Sequence, residues 1–258
     1  TLGIITEVTV KLHPVPEAIS SAVCAFPRLE SAIRTAMATI QSGIPVARIE
    51  LLDEVMMDAV NRYSKLDYPV MPTLFFEFHG SDAAVAEQAQ RVGEIAREQG
   101  GGDFQWASRP EDRSRLWQAR DNTLYAGMSL RPGGRAVITD VCVPISKLAD
   151  CIMETRRDID RSGLTVCIVG HVGDGNFHLL IIVDPADSAE IDRARALHDR
   201  MVRRALELNG TCTGEHGIGT GKIEFLRTEL GGAVDVMRQV KLAVDPADIM
   251  NPGKFFAV

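Results

Sequence analysis

The sequence predicts an α+β fold: an antiparallel sheet with helices packed mainly on one face. Three observations lead there. Strand-length apolar runs and helix-length amphipathic segments alternate along the 258 residues and are of similar length. The strand–helix pattern occurs twice. The stretch LTVCIVGHVGDGNFHLL, residues 164–180, reads as two apolar strands joined by a tight turn, a connection that only an antiparallel pair can make.

Val8, Val10 and Leu12 alternate with Glu7, Thr9 and Lys11 as in a half-buried strand, which His13-Pro14-Val15-Pro16 ends. Opening inside a strand is what a piece of a longer protein would show. Residues 22–26 read as a short strand. A helix over 29–41 carries Ile33, Met37 and Ile40 on one face and stops at Gly43 and Pro45. A strand over 47–52 precedes a helix over 53–63. TLFFEF, 73–78, is a buried strand. Ser81 caps a helix over 83–99 that Gly100-Gly101-Gly102 ends.

Pro110 at a first turn, with Glu111 and Asp112 at the positive end of the dipole, starts a helix through Leu116, Trp117 and Leu124 to Tyr125. After the Arg131-Pro132-Gly133-Gly134 loop, AVITDVCV (136–143) is a strand. Pro144-Ile145-Ser146 leads into a helix to Ser162. Ser188 caps a helix with Ile191, Ala194, Leu197, Met201, Ala205 and Leu208 in one stripe, ended by Asn209-Gly210. Two helices follow, around Phe225 and Val240.

Composition narrows the function classes. Hydrophobic content of 45% and mean hydropathy of +0.01 suit a chain that buries a core. Net charge of −7 and a pI of 5.4 argue against nucleic acid or anionic membrane as the main partner. No apolar run approaches the roughly 20 residues of a membrane span. Five cysteines without a CxxC pair suit reduced thiols in an intracellular protein. Cys212 has no adjacent base in sequence.

Residues 164–180 hold the main chemical signal. With Asp174-Gly175 as a type I′ turn, Val172 faces Phe177 and His171 faces His178. Opposed residues have Cβ atoms about 4.5–5.5 Å apart, and imidazole binds zinc at about 2.0–2.1 Å. One ion therefore fits between the two rings. A third, acidic ligand is Glu215, in GTCTGEHGIGTGK (210–222), where it sits with His216 among glycines. His171, His178 and Glu215 would leave an open coordination position, as a catalytic metal needs. Imidazole and carboxylate suit zinc, manganese or iron alike.

His216, adjacent to Glu215, should point elsewhere and serve as a general base near neutral pH, or else as a fourth ligand. Asp174 is a turn residue. Residues 217–222 lack full phosphate-loop spacing and read as flexible backbone. Arg120 could form a surface ion pair with Asp121 or Glu111, or grip a substrate carboxylate. His13, His79 and His198 read as structural or exposed.

GHVGDGNFH and GTCTGEHGIG together resemble the C-terminal domain of FAD-linked oxidases of the vanillyl-alcohol oxidase type. VARIELLDEVMMDAVNRYSK, LWQARDN, ITDVCVPISKL and DIMNPGKF follow in the same order. The chain is most similar to the cytochrome-linked D-lactate dehydrogenases and the FAD subunit of glycolate oxidase. The resemblance implies a duplicated ferredoxin-like cap domain over residues 15–258. Residues 1–14 would be the last strand of a flavin-binding domain. His171, His178 and Glu215 would be metal ligands, His216 the base, and Arg120 the carboxylate-binding arginine. Asn251 would lie where the chain returns toward FAD.

Related D-2-hydroxyglutarate dehydrogenases carry a lysine and an asparagine where this sequence has Ile138 and Leu180. Those apolar residues favour a small D-2-hydroxy monocarboxylate, D-lactate or glycolate. The resemblance further implies a cytochrome or quinone as electron acceptor and a location in bacterial cytoplasm or mitochondrion, and it leaves peripheral membrane association open. It also admits a homodimer. A hydrolase using an activated water on the same three ligands is the competing chemical class.

Overall fold

The computed structural model describes residues 2–255. The first half runs β1 (Ala18–Ala25), α1 (Leu29–Gln41), β2 (Val46–Leu52), α2 (Glu54–Ser64), β3 (Thr73–Gly80), α3 (Asp82–Glu98) and β4 (Phe104–Ala107). Its strands lie in the order β4-β1-β3-β2. With α2 taken as an insertion, this is the βαββαβ ferredoxin-like arrangement. Local chemistry sets the helix starts: the Asp53 side chain accepts Met56 N–H at α2, and the Ser81 side chain accepts Ala84 N–H at α3.

Two helices, α4 (Pro110–Asp121) and α5 (Thr123–Ser129), link the halves. The second half holds β5 (Arg135–Ile138), β6 (Val141–Cys142), α6 (Leu148–Ser162), β7 (Thr165–Gly170), β8 (Asn176–Val183) and α7 (Ser188–Glu207). An antiparallel bridge between Cys142 and Thr211 stands where a fourth strand would be. The pattern is thus the first half repeated. The halves join edge to edge through β2 and β7, where Leu51 pairs with Gly170 and Leu52 with Val169. All strand pairings in the sheet β4-β1-β3-β2-β7-β8-β5 are antiparallel, and β6 also pairs with β8. Helices α8 (Ile223–Leu230) and α9 (Ala233–Val244) follow.

The long helices α1, α3, α6 and α7 cover one face. Ile33, Val92, Ile152 and Met201 pack there against Phe76, Ile168 and Ile181. Burying each such side chain contributes about 1.5–3 kcal/mol. The other face is only partly covered. Met56 and Val60 of α2, Trp117 of α4 and Ala126 of α5 meet Leu52, Phe75, Leu180 and Ile182. Central strands therefore face apolar packing on both sides, and β8 is buried along its whole length.

The structure departs from the sequence-based expectation at several elements. Among the described residues, 2–16 form no strand. Val8, Val10 and Leu12 are 71%, 65% and 83% exposed because no sheet edge pairs with them. The helix expected over 110–125 breaks at Asn122, whose φ −93° and ψ 4° leave the helical well. The strand expected over 136–143 divides at Thr139-Asp140, where Asp140 turns to hold a loop. Strand β4 went unforeseen because FQWA lacks a clean alternation. The cap of α7 is Asp187, which accepts Ala189 and Glu190 N–H, rather than Ser188.

A candidate metal centre on the open face of the sheet

The β7–β8 hairpin differs in register from the expected one. His178 pairs with Val169, and Asn176 N–H donates to His171 O at 3.3 Å. The connection is a four-residue loop, Val172 to Gly175, closed by Asp174 N–H on His171 O at 2.9 Å. A two-residue type I′ turn fails because only Gly175, at φ +80°, takes the left-handed conformation. Its backbone also runs tight against the segment that follows β6: a Cβ there would lie 2.1 Å from Val143 O. The shift is two residues, and side-chain faces alternate with period two. His171 and His178 therefore still project from one face, with ring centroids 5.7 Å apart. That face is the partly covered one, since Val169 and Leu180 line it too.

Both imidazoles are tied through Nδ1. His171 Nδ1 lies 2.7 Å from Glu50 Oε1, and His178 Nδ1 lies 3.0 Å from Thr139 O. A carbonyl or carboxylate oxygen only accepts, so each Nδ1 carries a proton, and in the neutral ring Nε2 presents its lone pair. The two Nε2 atoms converge on Glu215 Oε1, at 3.5 Å from His171 and 3.2 Å from His178. Tetrahedral ligands about 2.1 Å from one ion lie roughly 3.4 Å apart. The two separations to Glu215 match that spacing, and all three donor atoms lie within 4.8 Å of one another, close enough to share one divalent ion. The Glu50 hydrogen bond raises the pKa of His171; burial lowers that of His178.

Adjacent residues were expected to point apart, but Glu215 and His216 reach the same centre. The His216 ring stacks on His178 at 5.1 Å, and its Nε2 lies 3.6 Å from Glu215 Oε1. Asp140 explains the bend. Its Oδ2 accepts Glu215 N–H at 3.1 Å, His216 N–H at 3.0 Å and the Thr213 hydroxyl at 2.7 Å. Its Oδ1 accepts Asn176 Nδ2–H at 2.8 Å. Burial opposes the Asp140 charge, yet the donors from His216, Thr213, Asn176 and Glu215 outweigh it and hold the carboxyl well below the usual range. Asp140, His178 and His216 also cluster, but both oxygens of Asp140 are already engaged by donors.

Lys222 Nζ donates to Asp140 O at 2.6 Å from a buried position, and burial pushes its pKa down. The glycine-rich segment therefore folds its lysine inward instead of cradling phosphate. Gly214 permits the packing: a Cβ would sit 2.0 Å from Asn176 Nδ2.

Arg120 reaches the site from α4. Its Nε donates to Glu50 Oε2 at 2.9 Å and its Nη1 to Thr123 Oγ1 at 3.3 Å. It forms no pair with Asp121 or Glu111. Arg120, the three histidines and Glu215 line one open cavity. Ile138 and Leu180, cross-strand partners on β5 and β8, form its apolar wall. Asn251 is not brought to this cavity; it lies in an exposed turn at φ +54°. Cys212 is buried and its thiol is pushed up to about 12, which removes it as a nucleophile.

Sequence reasoning missed Glu50, Asp140, Asn176 and Lys222. A signal existed for two of them. Glu50 and Asp140 each interrupt an apolar strand, and a carboxylate buried there needs specific partners.

Residues 15–255 match the family model described as FAD linked oxidases, C-terminal domain. The chain is 53% identical over 255 residues to a probable mitochondrial D-lactate dehydrogenase of Danio rerio, covering 98% of this chain and 51% of that protein. It is 46% identical to the mitochondrial cytochrome-type D-lactate dehydrogenase of Arabidopsis thaliana, covering 98% and 45%. It is 31% identical to the glycolate oxidase subunit GlcD of Bacillus subtilis, covering 100% and 55%. The chain thus spans about half the length of these curated relatives. Among solved structures, 4-ethylphenol oxidase from Gulosibacter chungangensis has the same fold, with a TM-score of 0.72 at 17% identity over 95% of this chain and 55% of that one. On the match of nearly its whole length, this chain belongs to the FAD-linked oxidases and corresponds to their C-terminal domain.

Proposed function

We propose that this chain is the substrate- and metal-binding half of a flavoprotein dehydrogenase that oxidises a small D-2-hydroxy acid to the 2-oxo acid. D-lactate is the first substrate and glycolate the second. The observation that carries the reading is the convergence of His171 Nε2, His178 Nε2 and Glu215 Oε1 in a cavity that Arg120 also lines. The relatives named for D-lactate and glycolate oxidation support the substrate class. Ile138 and Leu180 support a monocarboxylate, because neither can pair with a second carboxylate.

His171, His178 and Glu215 would hold a divalent ion, with zinc, manganese and iron all compatible with the donors. When bound, the ion would supply Lewis acidity at the substrate hydroxyl and the flavin would supply the two-electron redox chemistry. The remaining tasks fall to this chain. Arg120 binds the substrate carboxylate with the part of its guanidinium not turned to Glu50 and Thr123. His216, about half exposed, accepts the hydroxyl proton at Nε2. Ile138 and Leu180 exclude water on the apolar side. The substrate leaves one proton on His216 and one hydride on the cofactor. FAD is assigned to the remainder of the full-length protein, with a cytochrome or quinone as the next acceptor and an intracellular, mitochondrial-type location. Residues 2–14 would complete the sheet of that flavin domain.

The test is His216→Ala in the full-length protein. Turnover should fall by about 10²–10⁴-fold with metal content unchanged. Loss of metal in parallel would make His216 a ligand instead. Reduction of a dye by D-lactate separates oxidation from hydrolysis by an activated water on the same ligands.

A further inference from the structure

We infer that Glu50 is a positioning residue that locks the metal ligand His171 and the substrate-binding Arg120 into one unit, so that ion affinity and carboxylate binding change together. The inference rests on the functional reading above and adds a residue that acts through two others. Glu50 is 4% exposed and divides its two oxygens between the two partners. Oε1 meets His171 Nδ1 at 2.7 Å, and Oε2 accepts Arg120 Nε–H at 2.9 Å. Its backbone cannot drift. Strand β2 is hydrogen-bonded to β3 on one side and β7 on the other, and its neighbours Ile49 and Leu51 are buried in the opposite core.

A buried carboxylate is costly unless its partners neutralise it. Here the neutralising groups are the functional ones. A fold that needed only stability would place an apolar residue between Ile49 and Leu51. The carboxylate does three things that an apolar residue cannot. It fixes the tautomer of His171, aiming Nε2 at Glu215. It makes that imidazole a stronger donor to a metal. It also sets the plane of the Arg120 guanidinium, helped by Thr123, so that its free edge faces the cavity.

The test is Glu50→Gln in the full-length flavoprotein. A glutamine side chain keeps the size but cannot accept from both partners with charge. Zn²⁺ and Mn²⁺ affinity, read by chelator competition, should weaken about 10–100-fold. The KM for D-lactate at saturating metal should rise on the order of tenfold, as one charge-assisted hydrogen bond implies. The melting temperature without metal should change little. Glu50→Asp, one methylene shorter, should restore at most one of the two effects. Unchanged metal affinity and KM, with only the melting temperature lowered, would make Glu50 a stability residue and overturn the proposal.

A readout independent of metal and turnover is the ¹⁵N NMR signature of His171. The metal-free wild type should show the Nδ1–H tautomer and Glu50→Gln a mixture; an unchanged tautomer overturns the proposal. A wild type that binds no metal and oxidises no hydroxy acid would sink the functional reading, while the tautomer would still decide whether Glu50 orients His171.

Discussion

Asp140 grips Glu215 by its backbone: Oδ2 accepts the Glu215 N–H at 3.1 Å, and the same oxygen takes the N–H of His216 at 3.0 Å. One carboxylate on a strand break thus sets the direction of two successive side chains. Asp140→Asn should cost about 1–3 kcal/mol, since the amide nitrogen cannot accept and a donor is left unpaired. Denaturant unfolding measures it. The pH dependence has a definite sign. The carboxyl is held below its ordinary range, so its contribution is complete above the unfolded pKa of about 3.9 and is lost as pH falls through the folded value. The gap between wild type and variant should stay level above about pH 5 and close only in acid.

Metal should stabilise the fold. An ion bound only by the native state adds RT ln(1 + [L]/Kd), about 2.7 kcal/mol at a hundredfold excess over Kd. Added Zn²⁺ should therefore raise the melting temperature, and a chelator should return it. Each of His171→Ala, His178→Ala and Glu215→Ala should abolish the rise. A rise that survives all three places the ion elsewhere.

Gly175→Ala tests the turn that aims His178. The left-handed φ costs about 1–2 kcal/mol for an alanine, and the new Cβ would meet Val143 O at 2.1 Å, so overpacking adds about 1–3 kcal/mol. Gly173→Ala is the control. The nearest atoms to its Cβ would be those of Ile49, at 3.4 Å, and φ there is not left-handed. Thermal unfolding should separate the two variants clearly.

Much of the fold was legible because local rules and the global sheet agree. Leu29–Gln41 shows its helical stripe within thirteen residues, with its glycine stop at Gly43 just beyond. Ser81 announces its helix by side-chain capping, whereas Asp53, read as the first helical residue, proves to be the cap of its own. The shared face of His171 and His178 was legible because side-chain alternation survives a two-residue register error. A one-residue error would have turned His171 away from His178. What was not legible depends on distant partners. Glu50 reveals its role only when β2 is laid beside β7 and α4 is folded across it. Asp140 likewise reads as a strand residue until the loop 213–216 is brought to it. The Asn122 break has no local glycine or proline to announce it.

Ile138 and Leu180 carry the last expectation. They are cross-strand partners on the cavity wall, with Leu180 buried and Ile138 49% exposed. Both are apolar, so a substrate with a second carboxylate would place a charge against hydrocarbon with nothing to pair it. Ile138→Lys places a positive charge at a position open enough to admit the longer side chain, whose ammonium can stay partly solvated. In the full-length enzyme, kcat/KM for D-2-hydroxyglutarate should rise and that for D-lactate should fall. A charge-assisted contact of about 1.5–3 kcal/mol implies a shift in their ratio of at least tenfold. Equal losses for both substrates would mean that the wall supports the cavity without selecting what enters it.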